Sequence, residues 1–146
     1  MRQIMYAMQF RGEAASAGEG VLRAATSSPS TQIMSSVDSS GVTGQIDALD
    51  GGRATFTSEV RMTGDATFTE TGTISFGDAN RFDFSTIGEG HIGASPASGV
   101  SHGSVMWRID HGTGQFAGAT GTITSNFTLS EQGEVTDCHF GVIWLA

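Results

Sequence analysis

The last alternating segment of the chain contains the two residues best suited to proton transfer. In EVTDCHFGVIWLA, Asp137 and His139 stand two positions apart. Alternate residues of a β-strand point to the same face, so this spacing would put the two side chains next to each other. A carboxylate can orient an imidazole ring, and imidazole exchanges protons near neutral pH. Asp137 and His139 are therefore the first catalytic candidates.

The opposite face of the same segment leaves an alternative open. It carries Phe140, Val142 and Trp144, which form the more continuous apolar face. If these three residues fill the interior, Asp137 and His139 face solvent or a subunit boundary. The sequence does not decide between the two orientations.

Two acid–arginine pairs have the same spacing. Glu59 and Arg61 are the second pair of catalytic candidates, and Arg108, next to Asp110, is a candidate substrate-binding residue. Inside an apolar cavity an arginine would stabilise an enolate or a carboxylate. The alternative is that both are exposed ion pairs, which contribute little to stability.

Four further residues are candidates for substrate binding. Tyr6, the only tyrosine, either donates a proton or packs in the core with its hydroxyl satisfied. Trp107 and Phe116 offer aromatic surface, and His102 lies beside a loop of the type that often completes a binding site. The chain has 4 histidines, but no two have the close spacing of metal ligands, so no metal is expected.

Composition excludes several classes of partner. The formal net charge is −8 and no Lys/Arg cluster is present, which disfavours nucleic acid and anionic membrane surfaces. No apolar run approaches the roughly 20 residues of a membrane-spanning helix. The single cysteine, Cys138, excludes an intramolecular disulfide. The N-terminal segment faintly resembles a signal peptide but is interpreted as a first strand, and a cytoplasmic location is expected.

In the segments that must position these candidates, apolar and polar side chains alternate with a period of two residues. Alternating runs of about eight to twelve residues are separated by Gly-, Asp- and Asn-rich turns, as in the hairpin TISFGDANRFDF. We expect a single all-β domain over residues 1–146, an antiparallel β-barrel of about eight strands. Helix signals are weak, and at most a single helical turn is expected, within SAGEGVLRAATSS or SPSTQIMSS.

A glycine-rich stretch, GTGQFAGATGTI, follows one alternating run and leads into another. It does not precede a helix, so it is not a phosphate-binding loop. It resembles the Gly-x-Gly-x-Phe-x-Gly-x-x-Gly strand turn of the allene-oxide-cyclase-like barrels, which also include plant dirigent proteins and a bacterial group of small barrel proteins. The resemblance covers about Gly72 to Ala146. It carries over no catalytic residue individually, because the N-terminal strands do not match.

The resemblance implies a small antiparallel barrel, often trimeric, with a mainly apolar lumen. Members that are enzymes steer cyclisation, coupling or isomerisation of an apolar substrate without a cofactor. We therefore expect a cofactor-independent isomerase, cyclase or lyase for a small apolar molecule, assembled as a homo-oligomer (dimer or trimer). Two alternatives remain open. One is a non-catalytic binding or carrier barrel, and the other is a structural subunit whose lumen is filled by side chains.

Overall fold

The computed structural model describes all residues, 1–146, and consists almost entirely of β-strands. A single 3-10 turn, Gly114–Phe116, is its only helical element. The strands are β1 (Arg2–Gly18), β2 (Val21–Asp38), β3 (Gly41–Met62), β4 (Thr67–Phe76), β5 (Arg81–Thr86), β6 (Gly90–Ala94), β7 (Val100–Thr113), β8 (Thr120–Ser130) and β9 (Glu134–Leu145).

All nine strands belong to one antiparallel sheet that closes into a barrel-like ring. The order is β3-β2-β1-β9-β8-β7-β5-β4-β6, and the additional pairing of β3 with β4 closes the ring. Eight strands complete the ring, and the short strand β6 pairs with both β4 and β7. The expected all-β, antiparallel class is confirmed, with nine strands where about eight are expected from the sequence.

The interior is filled by one of the two alternating side-chain sets of each strand. Large side chains such as Phe10, Phe56, Phe84 and Trp107 are almost fully buried there. Their rings contact one another at centroid distances of 5.9 Å for Phe10–Phe56 and 4.3 Å for Phe84–Trp107. Because strand residues alternate, this set fixes the inward direction of every other residue on the same strands.

The glycine-rich stretch closes one end of the ring. Phe116 is buried there against Phe76 and Phe82, at ring-centroid distances of 5.2 and 5.1 Å. The backbone of Phe116 lies so close to Gly112 that a Cβ at Gly112 would overlap it. Gly114 has a φ of +59°, a conformation that favours glycine. These glycines are therefore needed for the turn that seats Phe116.

Strands β2 and β3 continue beyond the ring as a long hairpin. Around Pro29 and Arg53 their register shifts, and pairing resumes from Thr31 with Ala48 to Asp38 with Gly41. We call residues 30–52 the arm. The sequence allows at most one helical turn in SAGEGVLRAATSS or SPSTQIMSS, and the structure has none there: both segments lie in β1 and β2 and the turn between them. Cross-strand pairing overrides their weak local helix preference.

The structure contains no helix that is long and apolar enough to cross a membrane.

Candidate functional site

A chain of buried hydrogen bonds runs through the middle of the ring. His139 and Asp137 both lie on the inner face of β9, with His139 Nε2 at 2.9 Å from Asp137 Oδ2. Ser125, on β8, donates its hydroxyl to Asp137 Oδ1 at 2.7 Å. On the other side of the imidazole, Tyr6 Oη lies 3.2 Å from His139 Nδ1. The structure thus resolves the orientation left open by the sequence: the pair faces the interior.

The directions of these hydrogen bonds follow from the chemistry of the groups. An ionised carboxylate only accepts, so the His139 Nε2–H donates to Asp137. A phenol can donate or accept, so the Tyr6 hydroxyl can satisfy Nδ1 whether or not that nitrogen carries a proton. Burial, reinforced by the charge of Asp137, raises the pKa of Tyr6 well above its ordinary value of 10.0. Tyr6 therefore keeps its proton at neutral pH.

Glu70, on β4, is a second carboxyl group inside the ring. Ser58 donates its hydroxyl to Glu70 Oε1 at 2.6 Å, and the Trp107 indole Nε1–H donates to Oε2 at 3.2 Å. Burial raises the pKa of Glu70 from 4.5 to about 8. The two hydrogen bonds oppose that rise, and the charge of Asp137 adds to it. At neutral pH Glu70 is therefore mostly a neutral carboxylic acid.

Glu70 and Asp137 line the same cavity, at the end of the ring opposite Phe116. The cavity has a volume of about 70 Å³, and 11 of its 15 lining residues are hydrophobic. At about 30 Å³ for each molecule of liquid water it matches about two waters, so a six-membered ring enters only if flexible wall residues such as Met62 move aside. Its polar wall consists of Thr26, Glu70, Ser125 and Asp137.

Thr26 is distinctive among these four residues. Its side chain is buried, and its hydroxyl oxygen has no hydrogen-bond partner in the protein. Buried polar groups are normally paired, because an unpaired one costs about 1–3 kcal/mol. The residue lines the cavity, so its unpaired hydroxyl lies in the cavity wall.

Most other sequence candidates lie away from this cavity. Glu59 and Arg61 point outward from β3, where Glu59 forms exposed ion pairs with Arg61 and Arg23. They are corrected from candidate catalytic residues to surface residues, because strand alternation places them opposite the buried Phe56 and Ser58.

The same correction applies to two substrate-binding candidates. Arg108 is exposed and pairs with Asp110 at 3.0 Å, while the neighbouring Trp107 points inward. His102 is exposed on β7 and borders a groove on the outside of the ring. Phe116 is buried but closes the opposite end. Of the candidate substrate-binding residues, Tyr6 and Trp107 remain near the site, each through a hydrogen bond to a central residue.

The sequence candidates do not include Glu70, Ser125, Ser58 or Thr26. The sequence contains a signal for Glu70: it alternates with Phe68 and Ile74 in TFTETGTISF, so it is an acid on an apolar face. Ser125 likewise stands between Ile123 and Phe127. Their meeting with Asp137 depends on ring closure, which the local pattern does not specify.

The chain matches no protein-family model, and none of the curated proteins is similar to it in sequence.

Proposed function

We propose that this protein is a cofactor-independent isomerase, cyclase or lyase that acts on a small, largely apolar molecule held inside the ring. The observation that carries the proposal is the pair of carboxyl groups on one apolar cavity. Glu70 is mostly protonated at neutral pH, whereas the Asp137 carboxyl is held between the Ser125 hydroxyl and the His139 ring. Two acids with such different environments suit the roles of general acid and general base.

The chemistry that fits is proton movement next to a carbonyl group. Asp137 would take a proton from the carbon next to the carbonyl, and Glu70 would give its proton to the carbonyl oxygen, forming an enol. In an isomerisation, Asp137 then returns its proton to a different carbon, and Glu70 recovers its proton from the oxygen. Every proton is accounted for, and no redox partner or cofactor is needed.

His139 and Tyr6 support Asp137 and do not touch the cavity. The His139 ring, fixed by hydrogen bonds at both nitrogens, holds the carboxylate of Asp137 in place. Both are positioning residues in this proposal. The unpaired hydroxyl of Thr26 would form a hydrogen bond with a polar group of the substrate. This bond would hold an otherwise apolar substrate in a single orientation.

The proposal also includes a family assignment for the barrel-like ring. The closed ring with eight principal strands and the glycine turn that seats Phe116 support a small allene-oxide-cyclase-like barrel. We further propose a homo-oligomer in the cytoplasm, where the single free Cys138 would remain reduced.

A non-catalytic binding or carrier protein is the second candidate. The predominantly apolar lining of the cavity favours it, because such a wall holds an apolar molecule without chemistry. The two functions differ in what they require of Glu70 and Asp137: a carrier needs them only to keep the cavity in shape.

The experiment uses 3-cyclohexen-1-one, a small apolar ketone that isomerises to the conjugated 2-cyclohexen-1-one. Ultraviolet absorbance of the conjugated product gives the rate. We expect wild-type protein to accelerate the reaction and Asp137→Asn and Glu70→Gln each to reduce kcat/KM about 100-fold or more. Matched controls are Asp110→Asn and Glu59→Gln, the same chemical changes on the outer face, and these should leave the rate unchanged.

Binding of the product 2-cyclohexen-1-one, measured by ligand-observed NMR, separates the outcomes. Binding without acceleration would replace the enzyme proposal with the carrier proposal. If the ketone neither binds nor reacts, the proposal for this substrate class fails. Acceleration that survives both Asp137→Asn and Glu70→Gln would contradict the assigned roles.

A further inference from the structure

The arm has one apolar face that nothing in the chain covers. Ile33 pairs with Ile46 and Val37 with Val42, so all four side chains point to the same side of the hairpin. Val37 and Val42 are 81% and 70% exposed. The opposite face is mostly polar, as at Ser36, which pairs with Thr43, although it also carries Met34. A two-stranded ribbon with an apolar face is marginally stable in water unless that face is packed.

A second uncovered apolar surface lies on the outside of the ring. We call it the outer patch, and it consists of Met5, Met106, Phe140, Val142 and Trp144. Strand pairing makes the patch continuous: Met5 is opposite Val142, Phe140 is opposite Thr124, and Thr124 is opposite Met106. Phe140 is 52% exposed and Met5 58%. Contiguous exposed aromatic and methionine side chains are typical of interaction sites.

The total accessible area indicates a missing partner of substantial size. A monomer of 15.2 kDa is expected to expose about 7,100 Å². The chain exposes 8432 Å². The excess of about 1,300 Å² on one chain is larger than the roughly 800 Å² that each partner buries in a specific interface of ordinary size.

The geometry at the base of the arm indicates where this partner binds. Asp38 and Asp47 lie on the polar face of the arm, which stays in solvent when the apolar face is packed. A groove of about 330 Å³ joins the base of the arm to the outer face of β1, between Arg11 and Ile46.

The neighbouring edge of β1 is also free. Pairing between β1 and β2 begins only at Arg11 with Ser27, so residues 2–10 of β1 pair with β9 on one side and with no strand on the other. A free strand edge beside an apolar patch suits a β-ribbon partner.

We propose that the partner is a second copy of this chain, and that the arm of each copy packs its apolar face on the outer patch of another. The apolar face of the arm and the outer patch are both uncovered, and each copy supplies both surfaces. In a dimer each arm would pack on the outer patch of the other copy, and in a larger ring each arm would pack on the patch of the next copy. Either closed assembly covers every arm and every patch.

Sedimentation-velocity analysis of the full-length chain over a concentration series tests this proposal. We expect wild type to form a stable oligomer at micromolar concentration. Val42→Lys on the arm and Phe140→Lys on the patch should each weaken assembly at least about tenfold. The matched controls are Thr43→Lys, on the opposite face of the arm, and Thr71→Lys, on the outer face of β4 away from the patch. Both controls should assemble like wild type.

Each alternative outcome overturns the proposal. A monomeric wild type would remove the second copy, and assembly that survives Val42→Lys would remove the arm from the interface. Dissociation by Val42→Lys but not by Phe140→Lys would show that arms pack on arms. Circular dichroism checks the fold of each variant, and Val37→Lys, at the position paired with Val42, replaces Val42→Lys if that variant does not fold.

Discussion

Glu70 and Asp137 line one apolar cavity although they come from strands on different sides of the ring, β4 and β9. Their surroundings differ in kind. Glu70 accepts from a serine and an indole, whereas Asp137 accepts from a serine and an imidazole held by a tyrosine. The negative charge of Asp137 also helps raise the pKa of Glu70. This asymmetry distinguishes an acid from a base at one cavity.

The raised pKa of Glu70 predicts a specific dependence of stability on pH. In the unfolded chain Glu70 loses its proton near pH 4.5, but in the folded protein only near pH 8. Between these values the folded state binds more protons, so the free energy of unfolding falls as pH rises and levels off above about pH 8. The contribution of this group over the window is on the order of 5 kcal/mol.

Urea unfolding at pH 5, 6, 7 and 8 measures this effect. The difference between wild type and Glu70→Gln should change steadily across the series, because the variant lacks the titrating group. Glu59→Gln, on the exposed face, should follow the wild-type curve. A constant difference between wild type and Glu70→Gln would show that Glu70 titrates normally.

Removing the Tyr6 hydroxyl should destabilise the protein. Tyr6→Phe leaves Nδ1 of the buried His139 without its partner, which costs about 1–3 kcal/mol of unfolding free energy. Thr124→Val is the control, because the Thr124 hydroxyl donates to a backbone carbonyl at an exposed position. It should change stability by no more than about 0.5 kcal/mol. Equal stability of Tyr6→Phe and wild type in urea would show that the hydroxyl contributes nothing to the network.

Filling the cavity should abolish ligand binding without touching either carboxyl group. Ala24 lines the cavity, and Ala24→Leu adds three carbon atoms to a space of about 70 Å³. We expect at least a tenfold loss of affinity for 2-cyclohexen-1-one, measured by ligand-observed NMR. Ala25→Leu makes the same change on the exposed outer face and should bind normally. Undiminished binding by Ala24→Leu would place the ligand elsewhere.

In the glycine-rich turn, we expect Gly112 to tolerate substitution poorly. A Cβ there overlaps the backbone of Phe116, which cannot yield as a flexible side chain would. Gly112→Ala should therefore lower the melting temperature and destabilise the protein by about 1–3 kcal/mol or more. At Gly93 a Cβ meets nothing within 4 Å, so Gly93→Ala is the matched control and should be nearly neutral. Similar melting temperatures for both variants would contradict the tight turn.

Alternation along the strands predicted much of the fold correctly. A period of two in the last strand placed Asp137 and His139 on one face, and the interior orientation follows once ring closure makes that face the inner one. The arm was not predicted, because Thr31 to Leu49 has few charged residues and no strong alternation. Its strand character comes from cross-strand pairing rather than from local pattern.

Only part of the candidate site could be predicted from the sequence, because some of its residues meet only through pairing between distant strands. Asp137 and His139 are close in sequence, so spacing alone brings them together. Glu70 is 67 positions before Asp137, and Tyr6 is 133 positions before His139. Their meeting depends on ring closure between β3 and β4 and between β1 and β9. The pairs Glu59–Arg61 and Arg108–Asp110 have the same spacing as Asp137–His139, and only the choice of inner face separates them.

The protonation of Glu70 is the most direct test of the acid–base pair. Carbon-13 NMR of protein labelled at the glutamate side-chain carboxyl carbon follows each group through a pH titration, and Glu70→Gln assigns the signal. We predict that Glu70 is still protonated at pH 6 and titrates near pH 8. A Glu70 signal that titrates near 4.5 would contradict a neutral acid facing Asp137 and with it the proposed chemistry.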